Sequence, residues 1–114
     1  MKRGEIWLAR LGSARGVEIG KTRPVLIVQE NALTAAGYPT VIILPLTTRL
    51  RQNPGPVRVT VAPRGNLKQL SQVISAEPRA IDRQLILQGP LTRLLPDEMV
   101  AVEKGLLTAL GLYR

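Results

Sequence analysis

Short apolar runs, separated by turns that contain glycine and proline, predict a chain built mainly from strands. The run at 3–10 alternates, so Ile6 and Leu8 should face one side of a first strand. The run at 25–28 is continuously apolar and follows Pro24, which is typical of a strand covered on both faces. Further apolar runs predict strands at about 40–46, 57–62, 69–79 and 85–91.

Helical patterns are short except near the C-terminus. Single helical turns are predicted at 32–36 and 81–84. A longer helix should begin at Pro96, because proline suits a first turn and the acidic pair that follows complements the helix dipole. It should end before Gly111, a residue suited to a helix C-terminus. Its apolar face is predicted to contain Met99, Val102, Leu106 and Leu110.

These elements predict a single domain over residues 1–114, of mainly β (α+β) class. The expected architecture is a small, strongly bent antiparallel barrel of five to six strands with a C-terminal α-helix. The chain opens without a charged-then-apolar leader, and no apolar run approaches the roughly 18 residues of a membrane span. We therefore expect a cytoplasmic protein that does not associate with membranes.

The chain contains neither cysteine nor histidine. Disulfides, thiolate or imidazole metal sites and histidine-based triads are therefore excluded. Its eight carboxylates are spread along the chain, and the one adjacent pair would diverge on a helix, which disfavours a two-metal nuclease. We expect no metal and no cofactor, so any catalysis must use Arg, Lys, Glu, Thr, Ser, Tyr or the backbone.

Positive charge is concentrated in the first 70 residues, which hold eleven basic and three acidic side chains. Residues 71–114 hold five of each. A cationic half of this kind suggests a polyanionic partner, although a basic surface that is merely solvated is an equal alternative. Arginine supplies twelve of the sixteen basic residues, and its planar fork favours phosphate as the partner group.

Arg23 lies between a glycine-containing loop and the apolar strand that follows Pro24. Proline biases the preceding residue towards an extended conformation, so the guanidinium starts from a rigid position. If the strands at 23–29 and 40–46 are antiparallel neighbours, the start of one lies beside the end of the other. Connectivity alone therefore predicts that Arg23 and Thr47 meet at one rim of the sheet.

Two basic loops, at 11–22 and 49–56, are expected near this rim. The first resembles a phosphate-binding Walker loop only superficially, because its spacing is one residue short and Pro24 blocks the helix that should follow. Glu77 and Arg79 should share one face of the strand predicted at 69–79. Substrate contacts are predicted from these segments, through Arg15, Gly20, Lys21, Thr48, Arg49, Arg51, Glu77 and Arg79.

Five segments spread over nearly the whole chain carry a family resemblance. They are Arg3-Gly-Glu-Ile-Trp, Gly16-Val-Glu18-x-Gly-Lys-x-Arg23-Pro24-Val-Leu-Ile-Val, Leu44-Pro-Leu-Thr47, Arg79-Ala-Ile-Asp82-Arg83 and the final Leu-Gly-Leu. The second segment is the most specific of the five. In this order they resemble the MazF/PemK (Kid) family of toxin endoribonucleases.

The resemblance implies an SH3-like barrel that acts as a homodimer and cleaves single-stranded RNA at short sequences without a metal. It also implies inhibition by a MazE-like antitoxin, with operator DNA as a further partner of the two proteins together. The family mechanism relies chiefly on an arginine and a threonine, which match Arg23 and Thr47 here. The family's loop glutamate matches Glu18. The implied reaction is attack of the ribose 2′-OH on the adjacent phosphorus. We assign Arg23 to transition-state stabilisation and proton donation, and Glu18 as the candidate base.

Two positions depart from the common family pattern. Many relatives carry Gln-Ile-Arg-x-Ile-Asp, whereas this chain has Glu77-Pro-Arg-Ala-Ile-Asp82. Glutamate accepts hydrogen bonds but does not donate them, so base preference at that subsite is expected to differ. Leu85 stands where relatives often have arginine, which affects a phosphate or partner contact rather than the fold.

Two other classes of function stay open. One is a non-enzymatic toxin of the same fold, like the CcdB branch that traps DNA gyrase, and the matches at Arg23 and Thr47 argue against it. The other is a nucleic-acid-binding barrel without catalysis, which would usually expose aromatic platforms. Aromatic residues are only 3% of this chain, and Trp7 lies inside a strand, where we assign it to the core. Without the resemblance, Arg23 would be interpreted as a surface salt bridge and Thr47 as a strand-end hydroxyl bonded to its own backbone.

Overall fold

The computed structural model describes residues 1–12 and 21–113, and this part of the chain forms seven strands and two α-helices. In chain order these are β1 (Glu5–Leu11), β2 (Lys21–Ile27), α1 (Asn31–Ala35), β3 (Thr40–Thr47), β4 (Arg58–Val61), β5 (Ser71–Ile74), β6 (Arg79–Asp82), β7 (Ile86–Arg93) and α2 (Pro96–Ala109). Short 3-10 turns occupy Gly55–Val57 and Arg83–Leu85.

The strands form an antiparallel sheet in the order β4-β5-β3-β2-β1-β7, with β6 paired to β3. Strand β3 pairs with three neighbouring strands: residues 40–43 pair with β6, 43–45 with β2 and 46–47 with β5. This sharing curls the sheet into a partial barrel, and α2 packs against β4 and the 3-10 turn at Gly55–Val57. The mainly β barrel with a C-terminal helix is confirmed, with seven strands rather than five to six.

The C-terminal half of strand β2 is buried on both faces. Leu26 packs into an apolar cluster that includes Val102 of α2, whereas Val25 and Ile27 pack into a second cluster on the opposite face. The side chains of Val25, Leu26 and Ile27 are each 0% exposed. The predicted two-sided strand is therefore confirmed, and it gives Arg23 a rigid base.

The single tryptophan packs against the second apolar cluster. Its Nε1 donates a hydrogen bond to Glu5 Oε1 at 3.1 Å. Gly89 of β7 lies against the indole, since a Cβ built at Gly89 would come within 2.7 Å of the ring. Trp7 therefore packs on the core, as predicted, and its side chain is half-buried.

The predicted strand at 69–79 is wrong, because the chain turns between β5 and β6. The Glu77 N–H donates to the Ile74 carbonyl at 3.2 Å, which closes this turn. Pro78 has no N–H with which to continue a strand ladder. Glu77 therefore does not share a strand face with Arg79.

The two predicted helical turns are present but begin at different residues from those predicted. Helix α1 begins one residue earlier than predicted, at Asn31. The turn predicted at 81–84 starts later, at Arg83, because Ile81 pairs with Val41 in the sheet. Sheet pairing thus overrides the local helical tendency of this segment.

Helix α2 begins at Pro96, as predicted, and of its predicted apolar face Val102 is buried while Met99 and Leu106 are half-buried. Val102 is 0% exposed and Gly105 packs closely, since a Cβ there would lie 2.4 Å from the Pro56 carbonyl oxygen. Leu110 is the exception at 53% exposed, because the helix has already ended at Ala109. Neither helix in residues 1–12 and 21–113 combines the length and apolar character that a membrane crossing requires.

Glu98 ties the start of α2 to the turn before β5. Arg64 Nη1 donates to Glu98 Oε2 at 3.1 Å, its Nη2 donates to Oε1, and the Leu95 N–H also reaches Oε1 at 2.8 Å. Burial raises the pKa of Glu98, but these hydrogen bonds and the Arg64 charge lower the pKa more, so it lies below its usual range. The ionised carboxylate thus stabilises the fold.

Glu98→Gln should lower the free energy of unfolding at neutral pH by about 1–2 kcal/mol. A carboxylate whose pKa is depressed on folding contributes stability above its unfolded pKa and loses it as the pH falls through the folded pKa. The difference between wild type and variant should therefore shrink below the ordinary value of 4.5 in urea titrations. The more exposed Glu103, paired with Arg3 at 2.7 Å, provides Glu103→Gln as a control with a smaller effect. A pH-independent difference would contradict this account.

Candidate active site

Arg23 and Thr47 lie together at one rim of the sheet. Strands β2 and β3 are antiparallel, with Val25 opposite Pro45 and Ile27 opposite Ile43. The same register continued towards the rim sets Arg23 against Thr47. Both residues line one open cavity of about 370 Å³. The structure thus brings together the two residues that connectivity alone had placed side by side.

The cavity combines two arginines, hydroxyl groups and one carboxylate. Arg23, Arg49 and Glu77 all lie on its lining, and all three are exposed. The three ion pairs formed within residues 1–12 and 21–113 join other side chains. Arg23 and Arg49 thus form no ion pair with Glu77 or with another described residue, so both guanidinium groups can bind an anionic ligand. The remaining lining residues are Pro45, Leu46, Thr47, Thr48 and Ile74.

The Thr47 hydroxyl is held by the turn that follows β3. The Arg49 N–H donates to Thr47 Oγ1 at 3.0 Å. This is the local backbone bond that an isolated threonine at a strand end would make. Because Oγ1 acts as the acceptor, its own proton remains available for donation towards the cavity. A local structural bond and a donor role are therefore compatible at Thr47.

A buried glutamine of β5 fixes the loop that carries Thr48 and Arg49. Gln72 is 2% exposed and lies opposite Thr47 in the β3–β5 pairing. Its Oε1 accepts from the Arg51 N–H and from Arg58 Nη1, both at 3.1 Å, and its Nε2 donates to the Arg51 carbonyl at 3.0 Å. Arg58 Nη1 also donates to the Arg49 carbonyl at 3.0 Å. Gln72 and Arg58 are thus positioning residues that sequence reasoning missed.

Gln72→Ala should lower the free energy of unfolding by about 2–4 kcal/mol, because it leaves several loop and guanidinium groups without partners. Urea denaturation followed by circular dichroism measures this loss. Gln84 is an exposed glutamine near β6, and Gln84→Ala should change stability by less than about 0.5 kcal/mol. Equal losses in the two variants would mean that the network around Gln72 does not hold the loop.

The other predicted contact residues fall into three groups. Thr48, Arg49 and Glu77 line the cavity with Arg23 and Thr47. A second group is exposed but is not part of this lining: Lys21 begins β2, Arg51 follows the turn after β3, and Arg79 begins β6 opposite Ile43. The predicted residues Arg15, Glu18 and Gly20 lie outside the described residues.

Carboxylates do not cluster in the described part of the chain. Within residues 1–12 and 21–113, no three His, Cys, Asp or Glu side chains come together as a potential metal site. The described residues that line the cavity contribute guanidinium, hydroxyl and carboxylate groups.

Comparisons with known proteins place the chain in a family. The family model described as "PemK-like, MazF-like toxin of type II toxin-antitoxin system" matches residues 2–110. A mycobacterial endoribonuclease solved with its cognate antitoxin is similar at 26% identity and a TM-score of 0.77, with 98% of this chain and 96% of that chain covered.

Two further solved structures share the fold. The Mycobacterium tuberculosis toxin MazF-mt6 is 24% identical with a TM-score of 0.77, covering 95% of this chain and 97% of that one. A MazE–MazF complex from Deinococcus radiodurans is 20% identical with a TM-score of 0.78, covering 98% and 96%. Since the family model spans nearly the whole chain, the resemblance inferred from the sequence is confirmed. The chain belongs to the PemK-like, MazF-like family of toxins of type II toxin–antitoxin systems.

Proposed function

We propose that this toxin is an endoribonuclease that cleaves single-stranded RNA at the cavity shared by Arg23 and Thr47. The observation that carries the proposal is the presence of both residues, with Arg49, on the lining of one open cavity. A guanidinium and a hydroxyl donor at one place can stabilise the negative charge of a phosphorane transition state. The similarity to a mycobacterial endoribonuclease at 26% identity supports the same activity.

The proposed reaction needs only groups of the protein and the RNA. The ribose 2′-oxygen loses its proton to a base and bonds to the adjacent phosphorus. The bond from phosphorus to the 5′-oxygen then breaks, and that oxygen takes up a proton. Arg23 grips the non-bridging oxygens and donates to the leaving group, while Thr47 donates a hydrogen bond to the developing charge. The products are a 2′,3′-cyclic phosphate, which can open to the 3′-phosphate, and a 5′-hydroxyl.

Two carboxylates compete for the role of base. Glu18 matches the family's loop glutamate, and Glu77 lines the cavity. Arg23 itself is a poor base, because an arginine guanidinium stays protonated in proteins. We assign the base to Glu18, and we assign Glu77 to accepting hydrogen bonds from a nucleobase.

Paired amide substitutions distinguish these assignments. Glu18→Gln should lower the cleavage rate by about 10²–10⁴-fold and remove the acidic limb of its pH profile. Glu77→Gln should keep most of the rate but change which base is preferred beside the cut. Both effects are measured on a mixed-sequence RNA, with the exposed Asp97→Asn as a control of equal charge change. The reverse outcome would make Glu77 the base.

A protein antitoxin is the proposed regulator. The mycobacterial endoribonuclease was solved with its cognate antitoxin, and the Deinococcus radiodurans structure is of MazE–MazF. We propose that this chain acts as a homodimer, binds a MazE-like antitoxin, contacts operator DNA together with that antitoxin, and meets its RNA in the cytoplasm. Addition of the cognate antitoxin should stop cleavage by the purified toxin.

End-group analysis of cleaved RNA tests the proposed activity. Purified protein is incubated with a long mixed-sequence RNA in the presence of a chelator, and the ends are assayed enzymatically. Cyclic or 3′-phosphate ends together with 5′-hydroxyl ends are expected. Intact RNA that remains tightly bound would favour a binding module without catalysis. Intact RNA combined with trapped gyrase–DNA complexes would favour the CcdB-like alternative.

A further inference from the structure

We propose that a second, apolar cavity beside the candidate active site binds one nucleobase of the RNA and selects it through Asn66 and Gln69. The inference rests on the proposed function, because it names a subsite for the same substrate. The cavity has a volume of about 260 Å³ and is distinct from the one that contains Arg23 and Thr47. This is slightly below the 300 Å³ or so at which drug-sized ligands are usually bound, so it suits a single base.

The walls of this cavity suit the face of a planar ring. Its lining includes Leu8 of β1, Pro24 of β2, Leu91 of β7 and Leu67, which lies before β5. Most of its surface is apolar. Leu67 is 3% exposed and belongs to the core, so this wall is fixed. Unstacked bases are commonly held between apolar or aromatic side chains. Aliphatic walls could provide that contact in a chain with few aromatic residues.

Two side-chain amides supply the polar part of the cavity. The hydrogen bonds of Asn66 and Gln69 in the described residues run through their backbones: the Asn66 N–H donates to the Leu91 carbonyl at 2.8 Å, and the Gln69 carbonyl accepts from Ser71 Oγ at 2.8 Å. Their side-chain amides are thus available to a ligand. An amide pairs with a base edge that presents one donor and one acceptor, as adenine does.

The position of the cavity links it to the cleavage chemistry. Thr48 lines both cavities, and Pro24 directly follows Arg23 in β2. A nucleotide beside the scissile phosphate could therefore place its base here. Lys68 also lines the cavity and is exposed, so its ammonium can meet a flanking phosphate. Apolar walls, amides and a cation together match a nucleotide better than a lipid or an apolar peptide.

Binding is tested without cleavage by leucine-methyl NMR. The protein is titrated with single-stranded 2′-deoxy hexanucleotides of adenine, cytosine or thymine, which lack the attacking hydroxyl. We expect the methyl signals of Leu8, Leu67 and Leu91 to shift with at least one of these, whereas exposed Leu107 of α2 stays unchanged. Asn66→Ala or Gln69→Ala should weaken binding about tenfold, and Gln84→Ala should not. Shifts confined to other leucines would overturn the inference.

Cleavage-site mapping on mixed-sequence RNA is a second test of the proposed base subsite. In Asn66→Ala or Gln69→Ala the base preference at one position beside the cut should fall about tenfold, while RNA is still cut. RNA cut with an unchanged preference by both variants would refute the subsite and leave the proposed function standing. Failure of the wild type to cut RNA would refute the proposed function, and the NMR titration would still decide whether the cavity binds a base.

Discussion

Arg23→Ala is expected to reduce RNA cleavage by at least about a hundredfold and to leave the fold intact. The side chain is exposed at the end of a buried strand and forms no ion pair with the described residues, so its removal costs little stability. It supplies the guanidinium that faces the phosphorus in the proposed mechanism, and loss of one such donor typically costs about 10²–10³ in rate. Single-turnover cleavage of one defined RNA measures the effect.

Two companion variants separate chemistry from charge. Arg23→Lys keeps the positive charge but loses the bidentate fork, so its rate should lie between those of wild type and Arg23→Ala. Lys104→Ala removes one charge from the exposed surface of α2, far along the chain from the cavity, and should cut almost normally. An Arg23→Ala protein that cuts within about tenfold of wild type would place the chemistry elsewhere.

Removal of one oxygen from the substrate is expected to have the largest effect of all. RNA with a single 2′-deoxy substitution at the cleaved nucleotide should bind but stay intact, because the attacking nucleophile is missing. Cleavage of the unmodified RNA should proceed at the same rate with a chelator, since the proposed mechanism uses only protein groups. The two substrates are compared by gel assay and by binding titration. Cleavage of the deoxy substrate would exclude attack by the 2′-oxygen.

The sequence was sufficient where local pattern and nearest-neighbour pairing determine the structure. The continuous apolar run after Pro24 predicted a strand buried on both faces, and its antiparallel pairing with the next strand predicted the meeting of Arg23 and Thr47. The helix that begins at Pro96 was equally readable, because its first-turn residues and apolar spacing agree.

Contacts between residues far apart in the chain could not be predicted from the sequence. Gln72 looks like an ordinary polar residue within an apolar strand, and only its pairing opposite Thr47 shows that it holds a loop twenty-one residues away. The run at 69–79 satisfied strand propensity, yet a turn and Pro78 divide it. The apolar cavity near Asn66 gathers residues from five separate segments, which no local pattern indicates.

A crystal structure of the protein with RNA that lacks the 2′-hydroxyl at the cleaved nucleotide tests the central claim most directly. We predict that the scissile phosphate lies in the cavity, with the Arg23 guanidinium on its non-bridging oxygens and the Thr47 hydroxyl within hydrogen-bond distance of the same group. A scissile phosphate bound away from both side chains would contradict the account.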